Sequence, residues 1–210
     1  MFLIAITAAV AAQFSMPHPI GVPDVRAVFS GPMYPRSLAE AGVSGTVYTR
    51  TTVRPDGSIQ GCVAEVSSGS TELDTFACRI ILERAKFLPA KWIDGTPTYG
   101  VIRFPAVWRL SADSSSMAIP DLEVSVNQLP KGAHSLVTMR LAVAADENGH
   151  PVDCEDEFSS LDDPRQHFPE LVPGVCQAVM ASYRVQAPTD ASGKAVRSVQ
   201  SILVQVKRGR

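Results

Sequence analysis

The four cysteines of this 210-residue chain are the residues whose type and spacing could do chemistry. Cysteine thiolates bind zinc, exchange disulfides when two of them form a Cys-x-x-Cys motif, or pair into structural disulfides. No Cys-x-x-Cys motif occurs here, because the cysteines are Cys62, Cys78, Cys154 and Cys176. This spacing favours two structural disulfides over a zinc site or a redox centre.

The cysteines belong to a sequence repeat, which sets both their pairing and the number of domains. An offset of 92 residues maps the first copy onto the second, and after a six-residue insertion the offset becomes 98. The matched positions are Asp56-Gly57 with Asn148-Gly149, Cys62 with Cys154, Ser67-Ser68 with Ser159-Ser160, Cys78 with Cys176, and Gly95 with Gly193. The simplest pairing lies within each copy, as one disulfide between Cys62 and Cys78 and another between Cys154 and Cys176.

Other reactive residue types form no recognisable catalytic or metal-binding pattern. The four histidines lie in predicted linkers, turns or the insertion, and none has a familiar spacing to a serine or cysteine. Ser67 and Ser68 are better explained as hydroxyls at a helix start than as nucleophiles. The acidic run from Asp153 to Glu157 lacks the glycine-spaced oxygen ligands of a calcium loop, which favours a solvated strand edge. We therefore predict no catalytic residues, no metal and no cofactor.

The N-terminal residues and the cysteines both predict export. Residues 1–12 form an apolar run interrupted by Thr7, and Ala9-Val10-Ala11 supplies the small residues that a signal peptidase reads; a buried N-terminal strand is the alternative. Paired cysteines support export independently, since structural disulfides form in oxidising compartments. After the signal peptide no apolar run reaches membrane length. The net charge of −2 argues against a general attraction to nucleic acid.

Hydrophobic periodicity predicts the elements that would position the cysteines. In the first copy, alternating residues on either side of a Pro55-Asp56-Gly57 turn predict a β-hairpin, and an amphipathic segment after it predicts a helix capped by Ser70 or Thr71. The predicted elements of this copy are a short helix over 35–41, strands over 46–54 and 58–66, a helix over 72–85 and a strand over 98–110. Cys62 lies on the second strand and Cys78 on the helix, so their disulfide would join helix to sheet.

The second copy repeats this plan without the short first helix, so the predicted fold class is α+β. It consists of two ββαβ domains, each a small antiparallel three-stranded sheet packed by one helix. The predicted segments are a signal peptide at 1–12, a Pro-rich leader at 13–30, the first domain at 31–111, a linker at 112–132 and a degenerate repeat at 133–210.

The first copy resembles the C-terminal domain of the TonB family. The shared motifs occur in the family order at similar spacing over residues 31–111, whereas residues 133–210 match only the skeleton. The matching residues are Tyr34, Pro35, Gly45, Asp56, Gly57, Ser67, Ser68, Gly69, Leu73, Asp74, Phe87, Pro89, Ala90, Asp94 and Gly95. The resemblance implies a periplasmic protein that binds a protein partner, such as the short N-terminal box of an outer-membrane receptor, and it leaves energy transduction open.

A three-stranded sheet exposes an edge strand, and an extended peptide can add to such an edge through backbone hydrogen bonds. The predicted edge is the third strand of the first copy, where Pro105 removes one backbone donor. The predicted partner-binding residues on it are Tyr99, Val101, Arg103, Pro105, Val107 and Arg109. The alternative is a structural envelope or secretion-associated component, whose two domains pair with each other or with another chain without transducing energy. The sequence predicts no oligomeric state.

Overall fold

The computed structural model describes Val28 and residues 34–110, 119–133, 135–157 and 167–209. The predicted signal peptide, most of the leader and the Ser159-Ser160 pair lie outside these residues; Val28, placed in the leader by the sequence, is buried in the first core. The elements are α1 (Arg36–Glu40), β1 (Gly45–Val53), β2 (Ile59–Val66), α2 (Thr71–Arg84), β3 (Ala90–Lys91), β4 (Pro97–Trp108), β5 (Leu122–Val126), β6 (Leu136–Ala145), β7 (Pro151–Asp156), a 3-10 helix (Pro169–Leu171), α3 (Val172–Ser182) and β8 (Ser198–Arg208).

The described residues form one eight-stranded sheet, whose main strands follow the order β2-β1-β4-β8-β6-β7. The α+β class is as expected, but the two separate three-stranded sheets are not observed. β4 and β8, the last strands of the two copies, lie side by side and parallel, and they join the copies into a single sheet. This seam is short, pairing residues Tyr99, Gly100 and Val101 with Ser198, Val199 and Gln200.

The segment predicted as a linker, residues 112–132, contains a strand. β5 pairs in parallel with β8 from Leu122 opposite Val204 to Val126 opposite Arg208. Its alternate residues Leu122, Val124 and Val126 pack against the second core, which explains why this segment adopts extended structure. β5 thus lies beside the C-terminal half of β8, while β4 lies beside its first residues.

The two helices pack on opposite faces of the sheet. Across the seam Gly100 lies beside Val199, and side chains alternate between faces along a strand, so Val199 shares a face with Ile102 of β4. Ile102 belongs to the core under α2. Ile202 and Val204 of β8 point to the other face and pack in the core under α3. The copies are therefore related by an approximate twofold axis that runs along the strands.

Each copy carries the disulfide that the repeat predicted. Cys62 of β2 is bonded to Cys78 of α2, with their Cα atoms 5.4 Å apart. Cys154 of β7 is bonded to Cys176 of α3, with a Cα separation of 5.6 Å. Because β2 and β7 are the two outermost strands, each disulfide fastens one margin of the sheet to the helix above it.

A close glycine contact recurs in both copies and confirms the offsets of the repeat. At Gly57 a Cβ atom would lie 2.7 Å from the carbonyl oxygen of Phe87, and at Gly149 it would lie 2.1 Å from that of Val185. Both glycines have positive φ, at 84° and 78°. The hairpin turn thus packs directly on the segment that follows the helix, which requires glycine at this position of the turn in both copies.

Asp74 holds the start of α2 against the end of β2. Its carboxylate accepts hydrogen bonds from Ser67 Oγ at 2.6 Å, from Ser68 N at 2.9 Å and from Ser68 Oγ at 2.8 Å. Ser70 caps the helix by accepting a bond from Leu73 N. Burial alone would raise the pKa of Asp74, but the bonds from the two serines outweigh burial and hold the pKa below its ordinary value. The serine motif is therefore structural.

Neutralising Asp74 should remove a stabilisation that depends on pH. The pKa is lower in the folded state than in the unfolded state, so this stabilisation is complete above the unfolded pKa and is lost as pH falls through the folded pKa. We expect Asp74→Asn to lower the free energy of unfolding at neutral pH by about 1–2 kcal/mol, and the difference from wild type to vanish in acid. Urea unfolding across pH measures this.

Glu72→Gln is the matched control, because Glu72 also lies in the first turn of α2 and shares its favourable helix dipole. It should change stability by only a few tenths of a kcal/mol. Equal effects of the two substitutions would contradict the role given to the serine bonds.

Candidate partner-binding edge

The predicted edge strand β4 is an interior strand for part of its length. It pairs with β1 from Gly100 to Trp108 on one side. On its other side Tyr99 and Val101 are occupied by β8. The expectation of a free edge over residues 99–110 is therefore corrected for its first residues, because the second copy pairs there.

Beyond Val101 the strands β4 and β8 separate. Further along β8 its neighbour is β5 instead of β4, so a gap opens between β4 and β5, which we call the fork. From Ile102 to Trp108, no strand among the described residues pairs with β4 on the side opposite β1. Pro105 and Val107 lie on this stretch, and Arg109 follows its end. The Val107 side chain is 38% exposed and that of Leu110 is 47% exposed. This stretch keeps the properties expected of a strand that could accept another.

Asp121 closes the narrow end of the fork. Its backbone N–H donates to the carbonyl oxygen of Leu203 at 2.7 Å, and its carboxylate accepts from the Leu203 N–H at 2.7 Å. The same carboxylate forms an ion pair with Arg103 of β4. Asp121 therefore binds both strands at the point where they part. Sequence reasoning missed it inside the predicted linker, although the alternation of Leu122, Val124 and Val126 directly after it is a strand signal.

Arg103 is committed to contacts within the chain. Its guanidinium bridges Asp121 and Glu65 of β2, and its side chain is 16% exposed. Burial alone would lower the pKa of Arg103, but its bonds with Asp121 and Glu65 outweigh burial and raise the pKa further. The Arg103 guanidinium is thus a fixed positive charge that neutralises two carboxylates. These contacts leave few of its hydrogen-bond donors for a partner.

Arg50 of β1, which lies near Arg103, hydrogen-bonds residues of the second copy and so joins the first copy to the second. Its guanidinium donates to Gln186 Oε1, to the Gln186 carbonyl oxygen at 2.6 Å and to Gln200 Oε1 at 3.4 Å. Burial raises the pKa of the nearby Tyr183 hydroxyl to about 12, which keeps it neutral. The loop that follows α3 therefore crosses onto the sheet of the first copy, and a polar network holds it there.

The segment that follows the first copy's helix likewise crosses onto the sheet of the second copy, and its contacts there are apolar. Trp92, which follows the first copy's helix, packs against a small cluster on the second copy's sheet. The buried members of this cluster are Ala90, Ala142, Ala144 and Val199. Arg197 stacks over the Trp92 ring at 4.8 Å from its centre. By the repeat offset Ala142 corresponds to Arg50, so one sequence position carries an arginine at one crossing and an alanine at the other.

The two histidines among the described residues each contact a carboxylate. His150 lies 3.4 Å from the Asp146 carboxylate, and His167 hydrogen-bonds to Asp156. His18 and His134 lie outside the described residues. Within the described ranges no three histidines, cysteines or acidic residues come together as a group that could hold a metal ion. The described helices include none that is long and apolar enough to cross a membrane.

Comparison with known protein families matches the first copy. Residues 30–110 match the family model described as Gram-negative bacterial TonB protein C-terminal, and this confirms the resemblance carried by the motifs of the first copy. The match covers α1 to β4 and ends where the segment leading to β5 begins. No curated protein and no solved structure gave a significant match to the chain.

Proposed function

We propose, from the premise that residues 30–110 form a TonB C-terminal domain, that this TonB-like envelope protein binds a protein partner by strand addition. The partner would contribute an extended segment that pairs with β4 between Ile102 and Trp108. The observation that carries the proposal is the fork: β4 is backed by β1 over this whole stretch, while no described strand pairs with its other side. Backbone groups in such a position can bind an extended peptide.

The surroundings of the fork favour an apolar partner segment. Three exposed apolar side chains lie near the open end of the fork. Val107, near the end of β4, is 38% exposed, and Leu110, just after it, is 47% exposed. Ile119, which precedes β5, is 41% exposed. The charged side chains Arg103 and Asp121 satisfy each other at the closed end. Pro105 lacks an N–H, so it removes one possible bond and limits the registers that a peptide can adopt.

The family match suggests which partner supplies the segment. We propose the short N-terminal segment of an outer-membrane receptor, which would link the protein to transport across the outer membrane. Transport itself requires a source of energy, which binding of the segment does not supply. Recognition would depend mainly on backbone hydrogen bonds, with side-chain contacts at Val107 and Leu110 adding preference for apolar residues.

Hydrogen exchange tests this site directly. The probes are synthetic peptides with the N-terminal box sequences of outer-membrane receptors from the same cell. We expect peptide addition to slow amide exchange between Ile102 and Trp108, at the residues whose N–H groups point away from β1. Residues 99–101 should exchange slowly with or without peptide because β8 pairs with them.

β7 provides the control within the same sample, since it is an outermost strand on the far side of the sheet. Its exchange should not change on peptide addition. The proposal fails if no peptide slows exchange on residues 102–108, or if the protection falls on another strand.

A second candidate function is favoured by the seam between β4 and β8. Because the two copies already share a sheet, the protein could serve as a structural envelope component whose second domain occupies part of the first domain's edge. In that case receptor peptides would leave the amide exchange of residues 102–108 unchanged. The same experiment therefore separates the two functions.

A further inference from the structure

The two outermost strands of the sheet differ in how they are protected against pairing with another chain. Exposed strand edges bind other strands unless prolines or charged side chains prevent it. β7 begins with Pro151 and carries Asp153, Glu155 and Asp156 within six residues. β2 has eight residues, no proline and a single charged residue, Glu65. Among the residues that the structure describes, one margin of the sheet is therefore blocked and the other has no strand beyond it.

The single charge on β2 is already neutralised. Glu65 forms an ion pair with Arg103, which in turn contacts Asp121. The strand is also held in place, because the Cys62–Cys78 disulfide bonds its centre to α2. β2 thus offers a preorganised backbone edge without a net charge that would repel a similar strand.

Apolar side chains flank this edge on both faces of the sheet. Val63 lies opposite Arg50 in the β1–β2 register, on the face away from α2, and is 59% exposed. Leu82 of α2 follows Cys78 by four residues, so it lies on the side of the helix that faces β2, and it is 52% exposed. A strand that adds to β2 would cover both side chains.

We propose that β2 pairs antiparallel with β2 of a second copy of this chain, with the twofold axis at Val63. This register places Val63 against the partner's Val63 and Glu65 against the partner's Gly61. No like charges then face each other, and the uncharged edge is complementary to itself. The same arrangement at β7 would bring acidic side chains together, so association stops at the dimer instead of continuing into a filament.

The dimer uses a surface separate from the fork at β4. Pairing one strand with another buries little area, which predicts a weak association that depends on protein concentration. The partner segment proposed above would bind on the other side of β1, so either interaction can exist without the other. Loss of peptide binding would therefore leave the dimer intact.

Sedimentation velocity of three proteins at increasing concentration tests the proposal. Wild type should shift from monomer to dimer. Val63→Glu should weaken the dimer about tenfold or more, because two carboxylates then meet at the twofold axis. Within one chain the new carboxylate lies across from Arg50, which preserves the fold. Val152→Glu is the matched control, since Val152 is 41% exposed on the opposite margin, and it should dimerise like wild type.

A second measurement keeps the test decisive if Val63→Glu does not fold. Amide exchange of wild-type residues 59–66 should slow as the concentration rises, while that of residues 151–156 should not. A wild-type protein that stays monomeric at its highest soluble concentration would overturn the proposal. So would a dimer that Val152→Glu weakens as much as Val63→Glu.

Discussion

Gly149→Ala should lower the free energy of unfolding by roughly 3–5 kcal/mol, because the new methyl group has no room and the backbone no suitable conformation. Its Cβ would lie 2.1 Å from the carbonyl oxygen of Val185, a backbone atom that cannot rotate away. Moving that carbonyl would also disturb the hydrogen bond from Val185 N to the carbonyl oxygen of Gly149, which is 3.0 Å long. Chemical denaturation monitored by circular dichroism measures the loss.

Gly193→Ala separates the effect of the contact from the effect of the backbone angle. Gly193 has a similar positive φ, 82°, but a Cβ there meets no atom within 4 Å. Its replacement should cost only about 1–2 kcal/mol, the strain of alanine in a left-handed conformation. If both substitutions cost the same, the close packing of the hairpin turn on the chain after the helix contributes nothing to stability.

Removing either disulfide should cost about 3 kcal/mol. The two disulfides close loops with sequence separations of 16 and 22 residues, so in the chain-entropy model the second stabilises slightly more than the first. Each also holds an outermost strand, β2 or β7, which has a hydrogen-bonded neighbour on only one side. The relevant variants are Cys62→Ala/Cys78→Ala and Cys154→Ala/Cys176→Ala.

Urea unfolding of the two double variants measures these losses, and wild type with a reducing agent provides a third sample. Replacing both cysteines of a pair avoids an unpaired thiol, so the difference reports the cross-link. Reduction of wild type should reproduce the combined loss of the two variants, since the disulfides lie far apart. A reduced protein as stable as the oxidised one would contradict the stabilising role and with it the argument for an oxidising compartment.

The sequence predicted the features that depend on local pattern. The cysteine pairing and the glycine turns follow from the repeat, because equivalent residues in two copies occupy equivalent places. Alternating residues on β1 placed Val47, Thr49, Thr51 and Val53 on one face, and all four are buried. Motif spacing also predicted the resemblance of the first copy to the TonB C-terminal domain, which the family match over residues 30–110 confirms.

The arrangement of the copies could not be predicted from the sequence in the same way. The seam between β4 and β8 consists of backbone pairing over three residues, and side-chain alternation does not indicate which strand edges meet. β5 is only five residues long and lies within the segment predicted as a linker. Arg50 and Gln186 lie 136 residues apart, so their contact had no local signal. Consequently the predicted edge at Tyr99 and Val101 is occupied by the protein itself.

The positions of the two disulfides have a mechanical consequence. Covalent cross-links restrain the outer margins, whereas the centre is held by three paired residues and by the loops that cross it. A pulling force applied to the chain should therefore separate the molecule first along its midline. Each half would then separate with its helix still cross-linked to its part of the sheet, so the two halves should re-pair when the force is removed.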